Sequence, residues 1–147
     1  MSGLRMASSK SFEDLLSAAP GALEADAAMR RLLLYQLTPR LYSLIGLVVA
    51  GSLRCERFAG NLRGPLNEPL AHQAARDWRT LELSTAEKAI LAYAEKGTLD
   101  EASVRRSDVD ELRAASLDDR YILLIATAIA YHNYSIRMAA AFDVEPR

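Results

Sequence analysis

Apolar residues recur along this chain at the three- and four-residue spacing of a helix face, and no stretch alternates between apolar and polar positions as a strand does. Glycine, proline and capping side chains divide the pattern into segments of helix length. We therefore predict an all-α domain of about six to eight helices. The expected helices lie within residues 11–16, 22–36, 39–50, 52–64, 67–83, 84–97, 107–115 and 118–142.

Short polar side chains mark where several of these helices start. Thr38 is a capping hydroxyl followed by Pro39, and proline suits the first position of a helix. Ser84 and Glu87 have the spacing of a capping box, and the helix that they start should stop at Gly97. Further caps are expected at Ser52, Ser107 and Asp118.

Two segments, Leu41–Val49 and Leu123–Ala130, are apolar on more than one helical face. Such helices must be covered by several neighbours, so we expect them to be the most buried elements. The first should be broken at Gly51. The surplus of apolar surface in so short a chain also predicts a homo-oligomer, a dimer at least.

Length and composition fit one globular domain. The chain has 147 residues, of which 50% are hydrophobic and 25% charged, so we assign residues 11–147 to a single domain preceded by a flexible arm at 1–10. The net charge of −1 argues against a broad nucleic-acid or membrane surface. The first residues lack the apolar core of a secretory signal, and we expect a cytoplasmic protein.

Cys55 is the only cysteine, and it follows an apolar helix. Arg54 and Arg57 flank it, and a position at the start of the next helix would also stabilise a thiolate. The pattern therefore makes Cys55 a candidate catalytic thiol. The alternative is that Cys55 is a small buried hydrophobe, as free cysteines usually are.

The two histidines differ in their surroundings. His132 lies among apolar and aromatic residues of the last helix, where it is either a catalytic base facing the pocket under Cys55 or a hydrogen-bonded core residue. His72 lies in a polar helix and should be on the surface. Two distant histidines and one cysteine do not make a ligand set, so we predict no metal, and no motif indicates a cofactor.

Two stretches resemble a known family. The first is the apolar segment 44–49 followed by Arg54-Cys55-Glu56-Arg57, and the second runs from Leu83 through 89–96 and 107–115 to 130–139. Both are similar to the alkylhydroperoxidase D-like family, which includes the carboxymuconolactone decarboxylases, and the second is similar to its peroxidase-related branch. The resemblance implies an all-α alkylhydroperoxidase D-like bundle that assembles as a homo-oligomer, and we expect a dimer or hexamer.

The resemblance also implies a redox centre of one glutamate, two cysteines and one histidine. In this sequence the first cysteine corresponds to Cys55. The other three positions are degenerate, with Ser43 at the glutamate, Phe58 at the second cysteine and Leu62 at the histidine. Because nothing within the chain can resolve an oxidised Cys55, reduction would need an external thiol.

Three hypotheses about function remain open. The first is thiol-dependent peroxide reduction through Cys55, weak or lost because the centre is incomplete. The second is a non-catalytic helical scaffold or binding protein of the same fold. A decarboxylase or lactonase-like activity is the third and the weaker one, because the missing histidine counts against it as well.

Overall fold

The computed structural model of the protein describes residues 11–55 and 66–146. Over these residues the elements are seven α-helices and two short 3₁₀ turns, with one isolated bridge between Ser11 and Glu145. The all-α prediction is confirmed; the arm at 1–10 and the segment after Cys55 lie outside the described residues. The α-helices are Phe12–Leu16 (α1), Ala22–Gln36 (α2), Pro39–Ser52 (α3), Glu68–Asp77 (α4), Thr85–Leu99 (α5), Arg106–Ala114 (α6) and Asp119–Ala141 (α7), and the 3₁₀ turns are Trp78–Thr80 and Glu101–Ser103.

Helix α3 is the centre of the fold. Every residue from Leu41 to Ala50 is buried, because α4, α5 and α7 pack around this helix. The burial of α3 on all sides agrees with its apolar pattern. A smaller cluster of Phe12, Leu15 and Leu16 joins α1 to the end of α7. No helix within 11–55 or 66–146 is both long and apolar enough to cross a membrane.

The polar side chains at three helix starts cap as expected. The Leu41 amide donates to Thr38 Oγ1 at 3.1 Å, and the Tyr121 amide donates to Asp118 Oδ1 at 2.8 Å. Ser84 and Glu87 form the reciprocal capping box, with distances of 3.1 and 3.0 Å. Each cap satisfies backbone donors that the first turn of a helix leaves unpaired.

Several boundaries differ from the prediction. Helix α4 ends at Asp77, because Asp77 Oδ1 accepts the Arg79 amide at 3.3 Å and starts a 3₁₀ turn. Helix α6 begins before Ser107, because Asp108 accepts the Arg105 amide at 2.7 Å. Helix α5 continues through Gly97 to Leu99.

Gly51 and Ser52 do not break α3, so the predicted cap at Ser52 is wrong. Both lie in its last turn, and Ser52 Oγ donates to the Val48 carbonyl at 2.7 Å. A residue without a side chain is needed at position 51, because α4 crosses α3 closely there. An added Cβ at Gly51 would lie 2.8 Å from the carbonyl carbon of Ala75 and would overlap its oxygen. The glycine therefore marks a close helix crossing.

Candidate functional site

The backbone after α3 fixes the position of Cys55. The Cys55 amide donates to the Ala50 carbonyl at 2.8 Å, and the Arg54 amide donates to the Gly51 carbonyl at 3.1 Å. Arg54 adopts a left-handed conformation with φ of +56°. This pair of bonds around a left-handed residue is a Schellman motif, which satisfies the last carbonyls of a helix. Cys55 is thus tied to the carboxyl-terminal end of α3.

At the end of α3, stabilisation of a Cys55 thiolate has to come from side chains and not from the helix itself. The carboxyl-terminal end of a helix carries partial negative charge and does not favour an anion. The helix predicted to begin near Cys55 lies outside the described residues. Of the flanking arginines, Arg54 is described and exposed.

A cavity of about 560 Å³ opens beside Cys55. This size lies within the usual range for small-molecule sites. Cys55 is half-buried, so its thiol packs against the core and still borders the cavity. Among the described residues, the end of α3 supplies one wall and α4 another. The lining residues are Ala50, Gly51, Arg54, Cys55, His72, Ala75 and Arg76.

Helix α4 brings two polar side chains to this cavity. His72 and Arg76 lie one helical turn apart, on either side of the place where Ala75 meets Gly51. His72 is exposed, as the sequence predicted, but it also lines the Cys55 cavity. The sequence predicts only a surface position for His72, and the one signal of a shared site is its four-residue spacing from Arg76.

His132 lies in the core between α3 and α7. It is fully buried, and its Nε2–H donates to the Tyr42 carbonyl at 3.1 Å. The rings of His132 and Tyr42 are 4.5 Å apart. Burial lowers the pKa of His132 to about 4, so the imidazole is neutral at pH 7. The described lining of the Cys55 cavity does not include His132.

The remaining positions implied by the resemblance are only partly described. Ser43 lies on α3 and is buried, with 3% of its surface exposed. Phe58 and Leu62 lie outside the described residues, so their correspondence to the second cysteine and the histidine stays a prediction. Within 11–55 and 66–146, no three side chains of histidine, cysteine, aspartate or glutamate cluster as metal ligands would.

A second groove adjoins the first and shares Arg54 and Arg76 with it. Its far wall is a network around Glu95, which accepts the indole N–H of Trp78 at 2.8 Å and two bonds from Arg79 at 2.9 and 2.7 Å. The Arg79 guanidinium also stacks 4.4 Å from the centre of the Trp78 ring. Hydrogen bonds from Arg79 and Trp78 lower the pKa of Glu95, which is therefore ionised at pH 7.

The central helix α3 is buried, ends beside Cys55 and is enclosed by α4, α5 and α7. This all-α arrangement is the alkylhydroperoxidase D-like fold, as its similarity to solved structures shows. An uncharacterized peroxidase-related protein from Silicibacter sp. TM1040 is 22% identical, with a TM-score of 0.83, covering 92% of this chain and 75% of that one. The alkylhydroperoxidase AhpD core of a peroxidase-related protein from Ralstonia eutropha JMP134 is also 22% identical, with a TM-score of 0.79, covering 91% and 75%.

A third similar structure is a protein of unknown function from Agrobacterium tumefaciens, whose name relates it to the antioxidant defence protein AhpD. It is 21% identical, with a TM-score of 0.70, covering 86% of this chain and 91% of that one. No protein-family model matches the sequence, and no curated protein matches it. The TM-scores establish the fold. Because the identities are only 21–22%, the activity has to be argued from the site itself.

Proposed function

We propose that this protein is a one-cysteine thiol peroxidase of the alkylhydroperoxidase D-like family. One observation carries the proposal: the half-buried thiol of Cys55 borders a cavity of about 560 Å³ together with His72, Arg54 and Arg76. A reactive cysteine needs partial exposure and nearby basic groups, and this cavity supplies both. The peroxidase-related names of proteins with the same fold support the choice of oxidant.

The chemistry requires two half-reactions. In the first, the Cys55 thiolate attacks the outer oxygen of a hydroperoxide, the O–O bond breaks, and the alkoxide leaves and takes up a proton. Cys55 becomes a sulfenic acid, and the peroxide is reduced to an alcohol. In the second, one external thiol forms a mixed disulfide with Cys55 and releases water, and a second thiol restores the free cysteine.

Hydrogen peroxide should convert Cys55 to a sulfenic acid that a selective trapping reagent captures. Because Cys55 is the only cysteine, a single mass increment identifies the modified residue without further mapping. Turnover should rise linearly with the concentration of added thiol, since regeneration is bimolecular. The measurement is intact-mass spectrometry after one equivalent of peroxide.

The matched control for this experiment is Cys55→Ser, which should give neither adduct nor turnover. If the wild-type thiol still reacts with an alkylating reagent but forms no sulfenic acid with peroxide, the peroxidase proposal is wrong. That result would favour the alternative, a non-catalytic scaffold or binding protein of this fold.

Either function is compatible with self-association, and we propose that the chain is a homo-oligomer, a dimer or a hexamer. Leu32, Tyr35 and Leu123 are large apolar residues with 45%, 84% and 66% of their surface exposed. They lie where the end of α2 meets the start of α7. A hydrogen bond of 3.0 Å from Arg120 to Gln36 joins the two helices there. We call these three residues the α2–α7 face. Exposed apolar groups gathered in this way favour burial against another protein.

Replacing Leu123→Arg should shift the protein to monomers without unfolding it, because this side chain is already 66% exposed in the protomer. A charge at the centre of an apolar interface costs several kcal/mol of association energy, or roughly a hundredfold or more in affinity. Sedimentation velocity at micromolar concentration measures the change. Leu99→Arg is the control, since Leu99 is 59% exposed and lies at the end of α5. A monomeric wild type, or equal effects of both variants, would argue against this interface.

A further inference from the structure

The described lining of the Cys55 cavity carries positive charge. Its charged lining residues, as far as the chain is described, are Arg54 and Arg76, and both are exposed. Neither arginine forms an ion pair with a side chain that the structure describes. His72 adds a further nitrogen donor on the same wall as Arg76. The described lining thus contains cationic and donor groups and no carboxylate.

Two described carboxylates, Asp77 and Glu95, lie in the adjoining groove and have partners there. Glu95 holds Arg79 through two hydrogen bonds and also accepts the Trp78 indole N–H. Asp77 accepts the amide of Arg79 at 3.3 Å. Because neither carboxylate pairs with Arg54 or Arg76, the two guanidinium groups are available to an anion that enters the Cys55 cavity.

We propose that the cavity selects a reactant bearing a carboxylate and orients it with Arg76 towards the thiol of Cys55. This inference rests on the proposed thiol peroxidase function and names the class of its substrate. Arg76 and Arg54 bind the carboxylate, and the reacting end of the molecule lies against Cys55. When that molecule is a hydroperoxide, its O–O bond breaks on attack by the thiolate, and His72 donates a proton to the departing alkoxide. Cys55 is oxidised by two electrons, and the peroxide is reduced by the same two.

Alkylation tests the charge preference without any peroxide chemistry. Iodoacetate and iodoacetamide form the same kind of thioether with Cys55 and release iodide, but only iodoacetate carries a carboxylate. Relative to a free thiol, Cys55 should favour iodoacetate, and Arg76→Gln should lower the ratio of the iodoacetate rate to the iodoacetamide rate about fivefold. High salt should remove the preference in the wild type, because it screens exposed charges.

The matched control for Arg76→Gln is Arg106→Gln, which removes an exposed arginine at the first residue of α6 and should change neither rate. Equal effects of Arg76→Gln on both reagents, or equal effects of the two arginine variants on iodoacetate, would overturn the proposal. This outcome is independent of whether Cys55 forms a sulfenic acid, so failure of the inference and failure of the proposed function are distinguishable.

Two further arms show which reactant carries the carboxylate. In the oxidative arm, a carboxylate-bearing alkyl hydroperoxide is compared with its methyl ester. In the reductive arm, thioglycolate is compared with its methyl ester as the thiol. In at least one arm, Arg76→Gln should lower the ratio of the acid's rate to the ester's rate about fivefold, and that arm identifies the reactant. No discrimination in either arm would contradict the proposal.

Discussion

Acidification from pH 7 to pH 4 should lower the free energy of unfolding by about 3 kcal/mol through His132 alone. Burial lowers the pKa of His132 from 6.5 to about 4 in the folded protein. Between pH 4 and pH 6.5, His132 is protonated in the unfolded chain and neutral in the folded chain. The free energy of unfolding therefore rises with pH through this window. The contribution of the neutral His132 to the free energy of unfolding is fully present above about pH 6.5 and is lost as the pH falls towards 4.

Chemical denaturation followed by circular dichroism at a series of pH values measures this effect. His132→Gln should be less stable at pH 7, but its stability should change much less between pH 6.5 and 5, above the range where most carboxylates titrate. His72→Gln is the matched control, because His72 is the only other histidine and is exposed. It should keep the wild-type slope. If the two variants have the same slope, the buried imidazole is not the source of the acid sensitivity.

Gly51→Ala should destabilise the protein by about 3 kcal/mol, the upper end of the usual cost of overpacking. The added methyl group would overlap the backbone carbonyl of Ala75, and a backbone atom cannot move aside as the end of a flexible side chain does. Helix α4 would have to shift away from the end of α3. This shift would also move His72 and Arg76 relative to Cys55, so the preference for iodoacetate should weaken in the same variant.

Gly97→Ala provides the comparison, because Gly97 also lies near the end of a helix. Its added Cβ would meet only the Ile129 Cγ2 methyl at 3.9 Å, an ordinary contact. Alanine is a better helix residue than glycine, so this variant should gain roughly 0.5–1 kcal/mol. Denaturant midpoints of the two variants give the test. A loss of less than 1 kcal/mol in Gly51→Ala would mean that α3 and α4 do not cross this closely.

The fold was largely predictable because helix periodicity and capping are local properties of the sequence. The apolar run of α3 and the caps at Thr38 and Ser84 needed no knowledge of distant residues. The errors at Gly51 and Gly97 have different causes. Gly51 marks a close approach of two backbones, which only the tertiary structure shows. Gly97 lies inside α5 with no backbone close to it, and a single glycine lowers helix stability without ending the helix.

The candidate site was predictable only in part. Cys55 was identifiable because it is the only cysteine and follows a buried helix. The role of His72 depends on the crossing of α3 and α4, which no local pattern contains. For His132 the sequence left two interpretations open, a base or a core residue. Its complete burial and its bond to the Tyr42 carbonyl place it in the core.

The contact between Trp78 and Glu95 also gives the protein an intrinsic fluorescence signal for the position of α4. Trp78 is the only tryptophan, and it lies directly after α4 with its indole N–H bound to a side chain of α5. A buried indole emits at shorter wavelength than one in water, so the wavelength of maximum emission shows whether the end of α4 stays against α5. Intrinsic fluorescence can therefore follow displacement of the wall that carries His72 and Arg76 with no dye attached to Cys55.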